Sequence, residues 1–155
     1  MTGATLDVII DDPRWAEALG DADALCDECR RAVASAEPRL AGAATLLFAD
    51  DEALRELNRR FRGIDKPTNV LSFPSAAGDS VLGDIAIAYE TVRRESAEAG
   101  VAFRDHAAHL IVHGLLHLAG HDHEKDDEAE RMEALETGIL ASIGVADPYA
   151  SPTSD

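Results

Sequence analysis

Apolar and polar positions alternate with two clear periods along this chain, and the switches between them mark out its elements. Leu6 to Ile10 and Ala44 to Phe48 are short apolar runs of strand length, and the Ala-rich stretch from about Asp21 to Ala36, closed by Glu37-Pro38, has helical character. Asp50 and Asp51 supply an N-cap and a negative first turn for a helix that turns Leu54 and Leu57 inward and ends near Arg60. Phe61 to Thr68, with Gly63 and Pro67, is expected to be loop. Asn69 to Phe73 is a strand stopped by Pro74, the turn Ala76-Ala77-Gly78-Asp79 follows, and Val81 to Tyr89 is a fourth strand. Thr91 to Ala99 is expected to be helical up to Gly100. Arg104 to Ala119 is a strongly apolar helix ended by Gly120, and Asp126 to Ile143 is a last amphipathic helix carrying Met132, Leu135, Ile139 and Leu140. Strands and helices mingled in this order predict an α+β fold, a small mixed sheet of about four strands packed with helices. Residues 1–146 form a single domain in this reading, and 147–155 a loose tail.

With 155 residues the chain buries roughly 70% of its unfolded surface as one domain and needs no disulfide staple. The opening apolar stretch is too short and too acidic for a signal sequence. Ala107 to Gly120 is interrupted by histidines and falls short of the ~20 residues of a membrane span. A soluble, cytoplasmic protein is expected. Cys26 and Cys29 form one CxxC with no second pair, which reads as two helix thiols before it reads as a redox or zinc motif.

The net charge of -16 disfavours a general nucleic-acid coat. Its distribution changes that picture. Eight of the 14 basic residues lie between positions 55 and 104, whereas 122–136 carries eight acids against Lys125 and Arg131. A basic face on an acidic body is therefore expected.

The segment His113-Gly114-Leu115-Leu116-His117-Leu118-Ala119-Gly120-His121-Asp122-His123 carries the chemistry. Residues four apart on a helix share a face about 6 Å from one another, so two imidazoles can meet one zinc ion at ~2.0–2.1 Å. His109 is in phase, but it stands ~12 Å from His117 along the axis, too far for both to bind one ion. A third ligand requires the helix to stop and turn back, which Gly120 permits, and His123 then closes the site. His121 is the rival for that third place. Three protein ligands and an open position characterise catalytic zinc, which lowers the pKa of water to about 7. A lone HxxxH is more often a pair of core histidines; the full pattern is what favours metal. His106 and His109 are read as buried or hydrogen-bonding partners of the ligands, and Asp122 either as such a partner or as a surface acid. The spacing is similar to the metzincin peptidase signature HExxHxxGxxH, except that Gly114 replaces the glutamate base.

Three blocks carry a broader resemblance: Leu57 to Pro74 (LNRRFRGIDKPTNVLSFP), Leu82-Gly83-Asp84-Ile85, and His113 to His123. Over about Leu46 to Glu136 the chain resembles the YbeY family of bacterial single-strand-specific endoribonucleases that act in ribosomal RNA maturation. The resemblance implies one zinc ion held by His113, His117 and His123, a zincin-like metal helix, a cleft roofed by the loop and strand of the first block, and a functional arginine at Arg62. The family usually carries Tyr at the position of His121. A guanidinium on a loop near zinc can grip a phosphate bidentately and stabilise charge on pentacoordinate phosphorus. Arg59 and Lys66 suit the RNA backbone, and Arg60 the surface. Asp84 either orients a ligand or the loop, or is an edge-strand acid.

The expected function is a zinc-dependent endoribonuclease acting on single-stranded RNA and ribosomal RNA precursors, with ribosomal proteins or assembly factors as further partners and no membrane. A zinc metallopeptidase with another carboxylate as base is the alternative enzyme. A non-catalytic ribosome-associated factor with a structural zinc is the alternative from outside enzymology.

Overall fold

The structure, a computed structural model, describes residues 4–37, 42–75, 81–120, 126–146 and 148. Its elements run β1 (Ala4–Ile10), α1 (Arg14–Leu19), α2 (Ala22–Ala36), β2 (Gly42–Ala49), α3 (Asp51–Arg62), β3 (Val70–Pro74), β4 (Val81–Ala88), α4 (Tyr89–Ala99), α5 (Phe103–Leu118) and α6 (Asp126–Ser142). The four strands make one mixed sheet in the order β1-β2-β4-β3, with β1, β2 and β4 parallel and β3 antiparallel at one edge. This is the α+β arrangement that the pattern of apolar runs predicts. The turn expected at Ala76–Asp79 lies outside the described residues, as does the tail expected from Asp147, Pro148 apart.

Alternation along the strands divides the core in two. Ala44, Leu46 and Phe48 of β2 and Ile85 and Ile87 of β4 face the larger cluster, built with α2, α5 and α6. Ala49, Leu71, Ala86 and Ala88 face the opposite side, where Leu54 of α3 closes a smaller cluster. Helix α5 is enclosed on most sides, burying Ala107, Ala108, Leu110, Ile111, Val112 and Leu115 among others. Gly114 lets it lie directly on β4, for a Cβ there would stand 3.0 Å from Cδ1 and Cγ2 of Ile85.

Strand ends shift by one or two residues, and one additional helix and two helix boundaries differ from expectation for clear physical reasons. Helix α1 was not expected, because its six residues bury only Trp15 and carry no periodic stripe. It is fixed instead by tertiary contacts. The Trp15 indole donates to the Ala49 carbonyl (2.8 Å) and packs among Phe48, Tyr89 and Phe103. Helix α3 runs two residues further than expected, so Phe61 and Arg62 are helical rather than loop. Its end is set by Gly63 in the left-handed region (φ 69), whose N–H reaches the carbonyl of Arg59. Tyr89 opens α4 rather than closing β4, because Asp51 accepts hydrogen bonds from Thr91 N and Oγ1 (2.9 and 2.8 Å) and Glu90 accepts from Asp51 N (2.9 Å). The first turns of α3 and α4 thus cap each other.

Candidate active site

Helix α5 presents four histidines along one stripe of an otherwise apolar surface. His106, His109, His113 and His117 follow one another at three- and four-residue steps, and consecutive ring centroids lie 6.0, 6.3 and 4.9 Å apart. Carboxylates stand behind three of them. His106 Nε2 meets Glu95 Oε1 at 2.9 Å, and that oxygen also accepts from Asn69 Nδ2 (3.0 Å), tying the residue before β3 to α4 and α5. The Asn69 side chain also accepts from Val70 N (2.7 Å), so both ends of its amide are engaged.

Glu136 of α6 is fully buried and lies between two of these rings. Its Oε1 bonds Nδ1 of His113, and its Oε2 stands 3.7 Å from Nε2 of His109. Ligand atoms of His109, His113 and Glu136 all lie within 4.8 Å of one another, so these three could hold a metal ion. A buried carboxylate on imidazole is also what orients a metal-binding histidine, leaving Nε2 of His113 as its other donor.

His113 and His117 line one wall of a cavity of about 240 Å³, and Arg62, Asn69, Val70 and Ser72 line the other. Because β3 is an edge strand, Arg62 reaches around it from α3, donating from Nη2 to the Ser72 carbonyl (3.3 Å). The loop that follows is pinned by buried Asn58, which donates to the Lys66 carbonyl (3.0 Å). A guanidinium anchored by one contact keeps other N–H groups for an anion, and two imidazoles facing it suit a divalent ion.

Of the residues singled out in the sequence, His113, His117 and Arg62 meet at this cavity. His121, Asp122 and His123 lie outside the described residues. His106 takes a hydrogen-bonding position beside it, and His109 stands 3.7 Å from Glu136 in the triplet that could hold a metal ion. Arg59 pairs with Glu56 (2.6 Å), and Arg60 lies 5.8 Å from the Phe61 ring. Asp84 points to the other face of the sheet, into a separate groove. Gly83, its neighbour, has a packing reason: at φ 143, a Cβ would stand 2.2 Å from the Phe73 carbonyl oxygen. Cys26 and Cys29 are both buried, and burial pushes both thiols up, Cys29 to about 12. That is the behaviour of inert core thiols.

Glu136 escaped the sequence reading, since it is one of eight acids in an acidic stretch. Its phase is the available signal: the buried positions of α6 are Met132, Glu136, Ile139 and Leu140, and Glu136 is the acid on that apolar stripe.

A family model described as Endoribonuclease YbeY matches residues 18–144. The chain belongs to this family. Similar proteins named Endoribonuclease YbeY include those of Methylocella silvestris (59% identical over 111 residues, 70% of this chain and 63% of the relative), Chelativorans sp. (52% over 151 residues, 88% and 91%) and Erythrobacter litoralis (48% over 149 residues, 86% and 92%). The Methylocella match therefore spans slightly less than two thirds of that relative's length. The solution structure of TM1509 from Thermotoga maritima is similar in fold, with a TM-score of 0.60 and 22% identity over 95% of this chain and 100% of that one. YbeY membership agrees with the resemblance carried by the three sequence blocks. No described helix is long and apolar enough to cross a membrane.

Proposed function

We propose that this protein is a zinc-dependent endoribonuclease of the cytoplasm that cuts single-stranded RNA, ribosomal RNA precursors above all, with ribosomal proteins or assembly factors as partners. The observation that carries the reading is the shared cavity in which Arg62 faces His113 and His117. His113 and His117, joined by His123, would hold the ion, and Glu136 would fix the ring of His113 from behind. A zinc ion bound there supplies Lewis acidity at the phosphodiester.

The chain's own residues account for substrate placement. Arg62 binds a non-bridging phosphate oxygen and steadies the charge that builds on phosphorus. Its contact with Ser72 sets the direction of approach along the edge of β3. Asn69 shapes the wall and holds Glu95 against His106.

A peptidase gains no support from position 114, a glycine packed against the Ile85 side chain where the peptidase signature has its glutamate base.

The test is to purify the protein, measure its bound metal, and compare single-stranded RNA, duplex RNA and casein as substrates, with His113→Ala as control. Zinc near one equivalent and cleavage of single-stranded RNA alone, lost in the variant, are expected. Casein cleavage, or RNA cleavage that persists in His113→Ala, would overturn the reading. RNA affinity should also fall steeply with salt, as phosphate contacts require.

A further inference from the structure

The face of the sheet opposite the histidines carries a second cavity, of about 400 Å³, whose lining includes Thr45, Leu47, Phe61, Phe73 and Asp84. Helix α3 covers only part of this face. Phe61, on its last turn, is 64% exposed, unusual for a large aromatic ring, and stands 5.4 Å from the ring of Phe73. Two guanidinium groups flank the pair, Arg60 at 5.8 Å from the Phe61 ring and Arg62 at 5.9 Å from the Phe73 ring. Across three strands, Thr45, Asp84 and Phe73 lie side by side in register. The groove is therefore aromatic at one end, with an acceptor-only carboxylate and a hydroxyl on its floor.

The two cavities lie on opposite faces of the edge strand β3. Ser72 lines one and Phe73 the other, while Arg62 lines the first and lies against the Phe73 ring of the second. A phosphate held by Arg62 would lie beside the Phe73 ring, 5.9 Å from the guanidinium, with Phe61 5.4 Å further on. The charges agree. Although the chain as a whole is strongly acidic, Arg62 and Lys66 form no ion pair among the described residues, unlike Arg55 and Arg59, and Arg60 has only the long-range pull of Glu56.

We infer that this groove is a base-binding subsite for the single-stranded RNA substrate, in which one base stacks on Phe61 and turns its polar edge to Asp84 and Thr45. Aromatic rings flanked by arginine are a stacking platform for any base. Asp84 makes the platform selective. Guanine presents two neighbouring donors, N1–H and the N2 amino group, to a carboxylate, whereas adenine sets its N1 acceptor beside N6. Guanine is the base this edge favours. The inference rests on the proposed RNA-cleaving function and adds its subsite.

The test uses the full chain with its metal and fluorescein-labelled oligouridylate heptamers carrying one central guanosine or adenosine, with anisotropy read before cleavage accumulates. Wild type should bind the guanosine heptamer several-fold more tightly. Phe61→Ala should weaken both by about tenfold, the order expected for loss of one stacked base. Phe61→Trp should bind as wild type does, and its indole fluorescence should be quenched by the RNA. Asp84→Asn should lose the guanosine preference while keeping its affinity for the adenosine heptamer. If wild type binds and cleaves single-stranded RNA but Phe61→Ala and Asp84→Asn bind both heptamers unchanged, the subsite is refuted and the enzymatic reading stands. A changed sedimentation coefficient in Phe61→Ala with unchanged RNA affinity would assign the groove to a protein contact and refute it likewise. If wild type neither binds nor cleaves any single-stranded RNA, the enzymatic reading itself falls and takes the subsite with it.

Discussion

The carboxylate of Glu136, buried beneath α5, bonds Nδ1 of His113 across 23 residues of sequence. That contact fixes which nitrogen of His113 faces the cavity that it shares with His117 and Arg62. It also makes α6 a support of the site rather than a mere cover.

Two ligand sets share His113, and substitution separates them. With the ion at His113, His117 and His123, His117→Ala should lose it, His109→Ala should keep it, and Glu136→Gln should weaken it about 10–100-fold with the fold intact. Competition with a chromophoric chelator gives the affinities, and circular dichroism checks the fold. Loss of the ion in His109→Ala with retention in His117→Ala would instead place it at His109, His113 and Glu136.

Arg62 is exposed at the end of α3, so its replacement should leave the fold and the metal content alone. Arg62→Lys keeps the charge but not the planar fork, and kcat on single-stranded RNA should fall about 100-fold. An unchanged kcat would remove Arg62 from the chemistry.

Gly83 allows β3 to close against β4. In Gly83→Ala the new Cβ would collide with the Phe73 carbonyl oxygen in a backbone conformation hostile to side chains, at a cost of about 3 kcal/mol. For a chain of this length the melting temperature should drop by about 6–12 °C, measured by calorimetry. RNA affinity should fall as well, since Ser72 and Phe73 ride on the displaced strand.

Burial holds the Cys29 thiol protonated, its pKa pushed from 9.0 up to about 12, and moves Cys26 the same way. A pKa raised in the folded state means that the native protein keeps its proton longer than the unfolded chain does. The stabilising contribution is complete below about pH 9 and is lost as pH climbs toward 12. Urea unfolding at pH 8 and pH 10.5 should show this decline, and a Cys26→Ala/Cys29→Ala variant should show a shallower one. Native protein at pH 8 should also leave both thiols unmodified by a disulfide reagent until it is unfolded.

Much of the architecture was legible in the chain because helices and strands obey short-range periodicities. Asp50 predicted the start of α3, where its side chain accepts from Ala53 N (2.9 Å), and the four-residue steps of α5 set His113 and His117 on one face. Where an element depended on distant partners, as α1 does on the seat of Trp15 against β2, no local pattern announced it.

The sequence by itself determined the histidine stripe, the apolar helix that bears it and the number of strands, all properties of residues a few positions apart. Only the tertiary structure decided that Arg62 reaches around β3 to face those histidines, that Glu136 buries its charge against His113, and that Phe61 and Asp84 share a groove on the far side of the sheet. The reason is physical: spacing along one helix is fixed by its pitch, whereas contacts between elements far apart in the chain depend on how the whole sheet and its helices pack.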